Sequence, residues 1–333
     1  MIKFRSLIGL LLLLSLMVMS WFYFSYQQFI QAPINIEQPV IMDADKGVGA
    51  YALSNQLLNK NILQQPYYIK LHLWLNQDQY IIKAGRYKIL PGMNIKDVFL
   101  LFTEGKQVEY SIALIEGHTF EQAREIISAN PYLKHDTQQM TDVELLKAIG
   151  ADETFPEGLL FADTYSFPYQ YSELALYKRA YGQLKSVLNK AWQERVEDLP
   201  YESPYDALIM ASIIEKETAL ESERAKIAGV FVRRLKKNMR LQTDPTVIYG
   251  IGKAYTGNIK RIHLKTDTPY NTYTRHGLPP TPISLVGREA IVAALNPEPG
   301  NALYFVAKGD GSHYFSDTLQ QHNKAVRKYQ LRQ

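Results

Sequence analysis

Two glutamates stand two positions apart, Glu215 and Glu217, at the end of an apolar run that reads YDALIMASIIEKET from Tyr205 to Thr218. A carboxyl group in apolar surroundings is pushed toward its neutral form, and one that keeps its proton near neutral pH can protonate a leaving oxygen as a general acid. Projected on a helix, Ala207, Leu208, Ile209, Met210, Ala211, Ile213 and Ile214 cover nearly every direction, the pattern of a helix buried all round. Glu215 falls on the stripe of Leu208, Ala211 and Ser212, whose small side chains leave room beside the helix, whereas Glu217 points to the opposite side. Position therefore favours Glu215 as the acid and gives Glu217 a supporting, structural role. The competing reading is that Glu215 only pairs with a nearby cation such as Arg224 or Arg240.

The elements that must carry these carboxyls have clear signals. Ser203-Pro204 is a helix start, serine as cap and proline in the first helical position. Residues 222–236 form an amphipathic helix with Ile227, Val230, Phe231 and Leu235 on one face, followed by Leu241-Gln242-Thr243-Asp244-Pro245-Thr246-Val247-Ile248-Tyr249. Further on come Tyr270-Asn271-Thr272-Tyr273, Gly277-Leu278-Pro279-Pro280-Thr281-Pro282-Ile283, Asn296-Pro297 and Tyr304-Phe305-Val306. Upstream, helical patterns span 119–130, 141–149 and 172–194. The loop Glu157-Gly158-Leu159-Leu160-Phe161-Ala162-Asp163-Thr164-Tyr165 packs a carboxylate among aromatics, for which a packing role is the simpler reading.

In this order, the EKET helix, LQTDPTVIYG, YNTY, GLPPTPI, the Asn-Pro step and the Tyr-Phe-Val segment resemble the endolytic murein transglycosylase family, the MltG or YceG-like proteins. The resemblance runs from about Ala84 to near the C-terminus and includes an N-terminal anchor. It implies a membrane-anchored lytic transglycosylase that cuts peptidoglycan strands internally between N-acetylmuramic acid and N-acetylglucosamine, leaving 1,6-anhydro ends and ending nascent strands. On this resemblance the catalytic residue is the first glutamate of EKET, Glu215, acting as acid and then base. Gln242, Thr243, Asp244, Tyr270, Asn271 and Tyr273 become candidate walls of the substrate cleft. Pairing with peptidoglycan synthases is also implied. A hydrolytic muramidase using the same acid, and a wall-binding scaffold without catalysis, remain as alternatives.

The N-terminus says where this chemistry would happen. Residues 7–24 read LIGLLLLLSLMVMSWFYF without a charge, long enough as a helix to cross a bilayer. Its aromatic exit argues against a cleaved signal peptide, which ends in small residues. Lys3 and Arg5 precede it and place the tail in the cytoplasm by the positive-inside rule. The expected architecture is an α+β protein: tail 1–6, transmembrane helix 7–26, stalk 27–46, a small LysM-like region 47–115 and a larger catalytic domain 116–333. In the LysM-like region the strand signal is Gly85 to Ile89, and Asn94 caps a helix ended by Gly105. The localisation that follows is a bacterial inner (cytoplasmic) membrane, single-pass, with the bulk of the chain outside.

Composition removes other chemistries. The chain has 333 residues and a formal charge of +4, half of it from Lys3 and Arg5, so binding to nucleic acid led by net charge is not indicated. Zero cysteines exclude disulfides, thiolate metal sites, a cysteine nucleophile and a lipid-modified cysteine. The seven histidines fall in no close metal-ligand spacing, and no Walker loop, nucleophile elbow or dinucleotide fingerprint occurs. No metal and no cofactor are expected.

Overall fold

The computed structural model describes residues 2–331, with side-chain surroundings from Leu7 onward. The side chains of Lys3 and Arg5, on which the orientation of the tail 1–6 rests, lie outside the described residues. The fold is mixed α+β, and the chain divides into two units: residues up to Tyr110 with Phe167–Tyr169, and residues 111–166 with the chain from 170 onward.

The first unit begins with α1 (Ile2–Gln31), whose Leu7–Gln31 stretch is the one helix among the described residues long and apolar enough to cross a membrane. Its large side chains from Leu7 to Phe24 are mostly exposed, while Tyr26 and Ile30 turn into a protein core. Then follow β1 (Val40–Ala44), α2 (Ala50–Asn59), α3 (Pro66–Leu75), β2 (Gly85–Ile89) and α4 (Ile95–Glu104). Strands β1 and β2 pair antiparallel, Val40 opposite Ile89 and Ala44 opposite Gly85. Alternation puts Met42, Ala44, Tyr87 and Ile89 inward against Leu53, Leu57, Ile69, Leu73, Phe99 and Phe102. On the outer face Asp43 meets its strand partner Arg86 in a two-pronged ion pair at 2.7 and 2.8 Å. Asn94 and Asp97 form the capping box of α4, and Gly105 ends it at φ 77°, a left-handed conformation that suits glycine.

The stalk expected over 27–46 is thus largely structured. α1 continues to Gln31, Ile34 is buried, and residues 40–44 are a strand of the core sheet. Pro33 and Pro39, which lack an amide hydrogen, both lie outside the five residues that pair and so remove no donor from the ladder.

The second unit takes up the chain at Ser111, within β3 (Glu109–Ala113), which pairs with β5 (Thr164–Pro168). Between them lie α5 (Phe120–Ser128), β4 (Leu133–Lys134) and α6 (Asp142–Ile149); β4 pairs in parallel with β6 (Tyr171–Ser172). After α7 (Glu173–Gln193) come α8 (Pro204–Glu217), α9 (Glu221–Lys236), α10 (Asp244–Ile251), α11 (Arg261–Lys265) and α12 (Arg288–Leu295). The chain closes with the antiparallel pair β7 (Tyr304–Ala307) and β8 (His313–Ser316) and the helix α13 (Leu319–Tyr329).

Helix α8 is the axis of this unit. Every residue from Ala207 to Ile214 is buried, and α7, α9, α10 and α12 all pack on it. Ser203 caps it by accepting from the Asp206 amide, and the Ser203 amide donates in turn to the Asp206 carboxylate at 2.9 Å. Loss of such a cap costs about 1 kcal/mol, whereas each fully buried Leu or Ile on α8 contributes about 1.5–3 kcal/mol, so packing rather than propensity fixes this helix. Its C-terminal turn carries Glu215, Lys216 and Glu217.

Candidate active site

The last turn of α8 sends its two carboxylates to different neighbours, as a two-residue step on a helix requires. Glu215 lies against the segment that follows the proline-rich loop. The amide of Gly287 donates to its Oε2 at 3.0 Å, and Arg224 Nη2 approaches its Oε1 at 3.4 Å, with Glu116 at 4.0 Å from the same guanidinium. The side chain is only 4% exposed. Burial raises its pKa and Glu116 adds to the rise, while the Gly287 amide and Arg224 pull it back. The room left by Ala211 and Ser212 is filled: the Ile283 amide donates to Ser212 Oγ at 3.0 Å, and Ser284 Oγ donates to the Ser212 carbonyl at 3.3 Å. Glu215 is therefore held as one member of a charge cluster, with Arg224 the cation that the competing reading required.

Glu217 faces a cavity of about 540 Å³ bounded by Arg234, Gln242, Asp244, Tyr273, Tyr304 and His313 together with the inner side of α13. Its carboxylate accepts a short hydrogen bond from Thr243 Oγ1. Burial, with Asp244 nearby adding to the effect, pushes its pKa up to about 7, against the opposing pull of Thr243 and His313. A carboxyl whose pKa is raised toward neutral pH, in a cleft that also presents an amide, phenols, Arg234, Asp244 and His313, is equipped to protonate a leaving oxygen.

The strand-like segment beneath Glu217 is built with care. Gln242 has φ 53°, a left-handed conformation that costs a non-glycine residue on the order of 1 kcal/mol or more and persists only where surrounding bonds impose it. Those bonds are present. The Gln242 amide donates to the Thr272 carbonyl at 3.1 Å and the Thr243 amide to the Thr272 hydroxyl at 3.1 Å. Thr246 Oγ1 donates to the Thr243 carbonyl at 2.8 Å. From the other side Arg234, 7% exposed, donates to the carbonyls of Leu303, Leu241 and Arg240 at 2.6, 2.8 and 3.2 Å, and its guanidinium lies 5.0 Å from the Tyr304 ring. Tyr273 donates to Asp244 Oδ1 at 2.6 Å, and burial raises its phenol pKa.

The structure thus gathers Gln242, Thr243, Asp244 and Tyr273 around Glu217 rather than Glu215. Tyr270 is tied to Thr281 at 2.8 Å and meets Tyr249 edge-on. Asn271, 1% exposed, spends its amide on the carbonyls of His263 and Thr266 and its oxygen on the Tyr273 amide, so it shapes the loop from within. Sequence reasoning missed Arg234 and the histidines at the cavity rim. Arg234 had a signal: it lies four and three residues after Val230 and Phe231, on the apolar stripe of α9, where a charge must have a structural employer. His313, bound to Glu223 at 2.7 Å, and His322, stacked on Tyr304 at 5.2 Å, had none, because β8 and α13 bring them in from far along the chain.

An α+β unit with a glutamate at the end of a buried helix, facing a cleft of polar and charged side chains, has the form of an acid–base enzyme site. Family comparison is more specific: the YceG-like family model matches residues 42–328, and the chain belongs to that family. It is 32% identical over 269 residues to the endolytic murein transglycosylase of Bacillus subtilis, an alignment covering 74% of this chain and 73% of the relative. It is 26% identical over 284 residues to the endolytic murein transglycosylase of Streptococcus pneumoniae, covering 74% of this chain and 50% of that longer protein. Among solved structures, a yceG-like protein of Listeria monocytogenes superposes with a TM-score of 0.54 at 32% identity, over 87% of this chain and 99% of its own.

Proposed function

We propose that the chain is an endolytic lytic transglycosylase of peptidoglycan, cutting between N-acetylmuramic acid and N-acetylglucosamine inside a glycan strand, with Glu217 as the acid and base. The observation that carries the assignment is the Glu217 carboxyl, pushed up to about 7 and facing a cavity whose walls are the Gln242–Asp244 segment and Tyr273. Glu215, first favoured by position on the helix, has both oxygens committed to Gly287 and Arg224.

In the reaction, protonated Glu217 donates its proton to the glycosidic oxygen as the C1–O bond breaks. The carboxylate so formed removes the proton of the muramic C6 hydroxyl, whose oxygen closes onto C1. The product is a 1,6-anhydro ring, no water is consumed, and Glu217 ends protonated, ready for the next cut. Thr243 supports the transient carboxylate with its hydroxyl, and Asp244, Gln242 and Tyr273 give polar support to the positively charged transition state. One carboxyl suffices because the nucleophile belongs to the substrate.

The apolar 7–26 stretch of α1, exposed from Leu7 to Phe24, supports a single-pass anchor in the cytoplasmic membrane with the remaining chain outside it, and the family resemblance adds peptidoglycan synthases as neighbours when nascent strands are ended. A LysM-like role for the first unit is supported by its β1–α2–α3–β2 order, two helices between two antiparallel strands. The deciding experiment is mass analysis of glycan released from purified peptidoglycan by the wild type, Glu217→Gln and Glu215→Gln. Anhydro ends from the wild type and from Glu215→Gln, with none from Glu217→Gln, support the reading. Reducing ends, heavier by one water, would make the protein a hydrolase, and no product from any form would leave a binding protein.

A further inference from the structure

A second, larger cavity of about 850 Å³ lies in the same unit on the other face of α10. Sequence neighbours divide between the two cavities: Lys216 and Pro245 border this one, Glu217 and Asp244 the other. Adjacent Cα atoms are about 3.8 Å apart, so the last turn of α8 and the first of α10 contribute side chains to both cavities. This second cavity has aromatic walls. Phe155 stands at its rim 44% exposed, a large apolar side chain left facing solvent, and Tyr255, Tyr249 and Phe120 also border it.

Two of its cations are paired with carboxylates, and the third, Lys216, is bonded to a carbonyl. Lys253 Nζ is 2.5 Å from Glu121, Arg124 is paired with Asp142, and Lys216 Nζ donates to the Gly117 carbonyl at 3.0 Å. At its base Glu157, 5% exposed, accepts from the Phe120 amide at 2.8 Å, the Gly158 amide at 3.2 Å and the Tyr249 hydroxyl at 3.0 Å, which fixes the tyrosine as part of the wall. A ligand with a carboxylate would find two of the three cations already paired, whereas a neutral ring with apolar faces and a hydroxyl rim finds aromatic platforms and polar edges.

We infer that this cavity is a second saccharide subsite, taking a neutral N-acetylhexosamine ring of the same glycan strand whose scissile bond lies at Glu217. The inference rests on the lyase reading above and adds to it where the next sugars are held. An endolytic cut needs grip away from the broken bond, and a platform across α10 supplies it.

The test uses the full chain in detergent, in a Glu217→Gln background so that nothing is cleaved, titrated with the N-acetylglucosamine tetramer, which is neutral and carries no peptide. Phe155→Ala and Tyr255→Ala are each expected to weaken binding about tenfold at an unchanged melting temperature, with Phe155→Tyr restoring it. In the active background the same alanine variants raise KM by a similar factor and leave kcat within about twofold. Unchanged affinity in both alanine variants overturns the subsite, as does a wild-type cavity that ignores the tetramer but binds a free stem peptide. Loss of tetramer binding in Phe155→Ala in a protein that makes no anhydro ends would keep the subsite and remove the lyase reading.

Discussion

Thr243 gives its hydroxyl hydrogen to the carboxylate of Glu217 while its own amide hydrogen goes to Thr272, so one residue fixes both the acid and the backbone beneath it. The bond favours the ionised form of Glu217 and opposes the burial that raises its pKa. Thr243→Val should therefore move the pKa of Glu217 further up. Because the working acid is the protonated form, the alkaline limb of kcat/KM against pH shifts to higher pH, while kcat falls as the carboxylate formed in the first step loses its donor. An unshifted limb would detach Thr243 from the acid.

The two glutamates of α8 should separate cleanly. Glu217→Gln removes a general acid and base, worth about 10²–10⁴ in rate, and should leave folding intact because an amide still accepts from Thr243. Glu215→Gln keeps most activity but loosens the Gly287 and Arg224 contacts, leaving a half-buried guanidinium with only the more distant Glu116, at a cost of about 1 kcal/mol. Anhydro-product rates and melting curves on the same two variants read both effects.

The stability contributed by two buried carboxyls should fall as pH rises through the acid range. The Glu217 carboxyl has an ordinary value of 4.5 and is raised to about 7 in the folded chain, and Glu157 is raised to about 7 by the same burial. Between those values the unfolded chain has released protons that the folded chain keeps, so unfolding becomes easier with rising pH and then levels off above 7. The full gap corresponds to at most about 3 kcal/mol for each group. Glu217→Gln should flatten its share of this slope in denaturant titrations from pH 4.5 to 7.5; an identical slope in the variant would place its proton elsewhere.

What the sequence disclosed and what it withheld follow a physical division. Local signals were readable: Ser203-Pro204 starting α8, Asn94 and Gly105 bracketing α4, and the spaced apolar residues of α7 all correspond to the observed elements. Long-range pairing was not. Strand β1 is defined by partners more than forty residues away in β2, and α3, with little amphipathic contrast, takes its place from the core it joins. The same division decided the glutamates. Helix geometry placed Glu215 and Glu217 on opposite sides, but which side is a cleft depends on whether residues 283–287 fill the space beside Ser212, and no local pattern states that.

Arg234 offers the sharpest test of how the cleft is held. Its guanidinium joins the Leu303 carbonyl before β7 to the Arg240 and Leu241 carbonyls before Gln242, and so ties the two walls that flank Glu217. Arginine's planar fork makes these bonds in fixed directions, which the point charge of lysine does not reproduce. Arg234→Lys should therefore fold, with a loss of about 1–3 kcal/mol, yet release Gln242 from its left-handed backbone. Since Arg234 supports the wall and transfers no proton, the pH of half-maximal activity should stay near that of the wild type while KM rises and kcat falls together. Arg234→Met removes the bonds but keeps the apolar stem, and should lose more stability than Arg234→Lys because three carbonyls are then left without a donor. A variant with wild-type kinetics and only a lower melting temperature would reduce Arg234 to a packing residue.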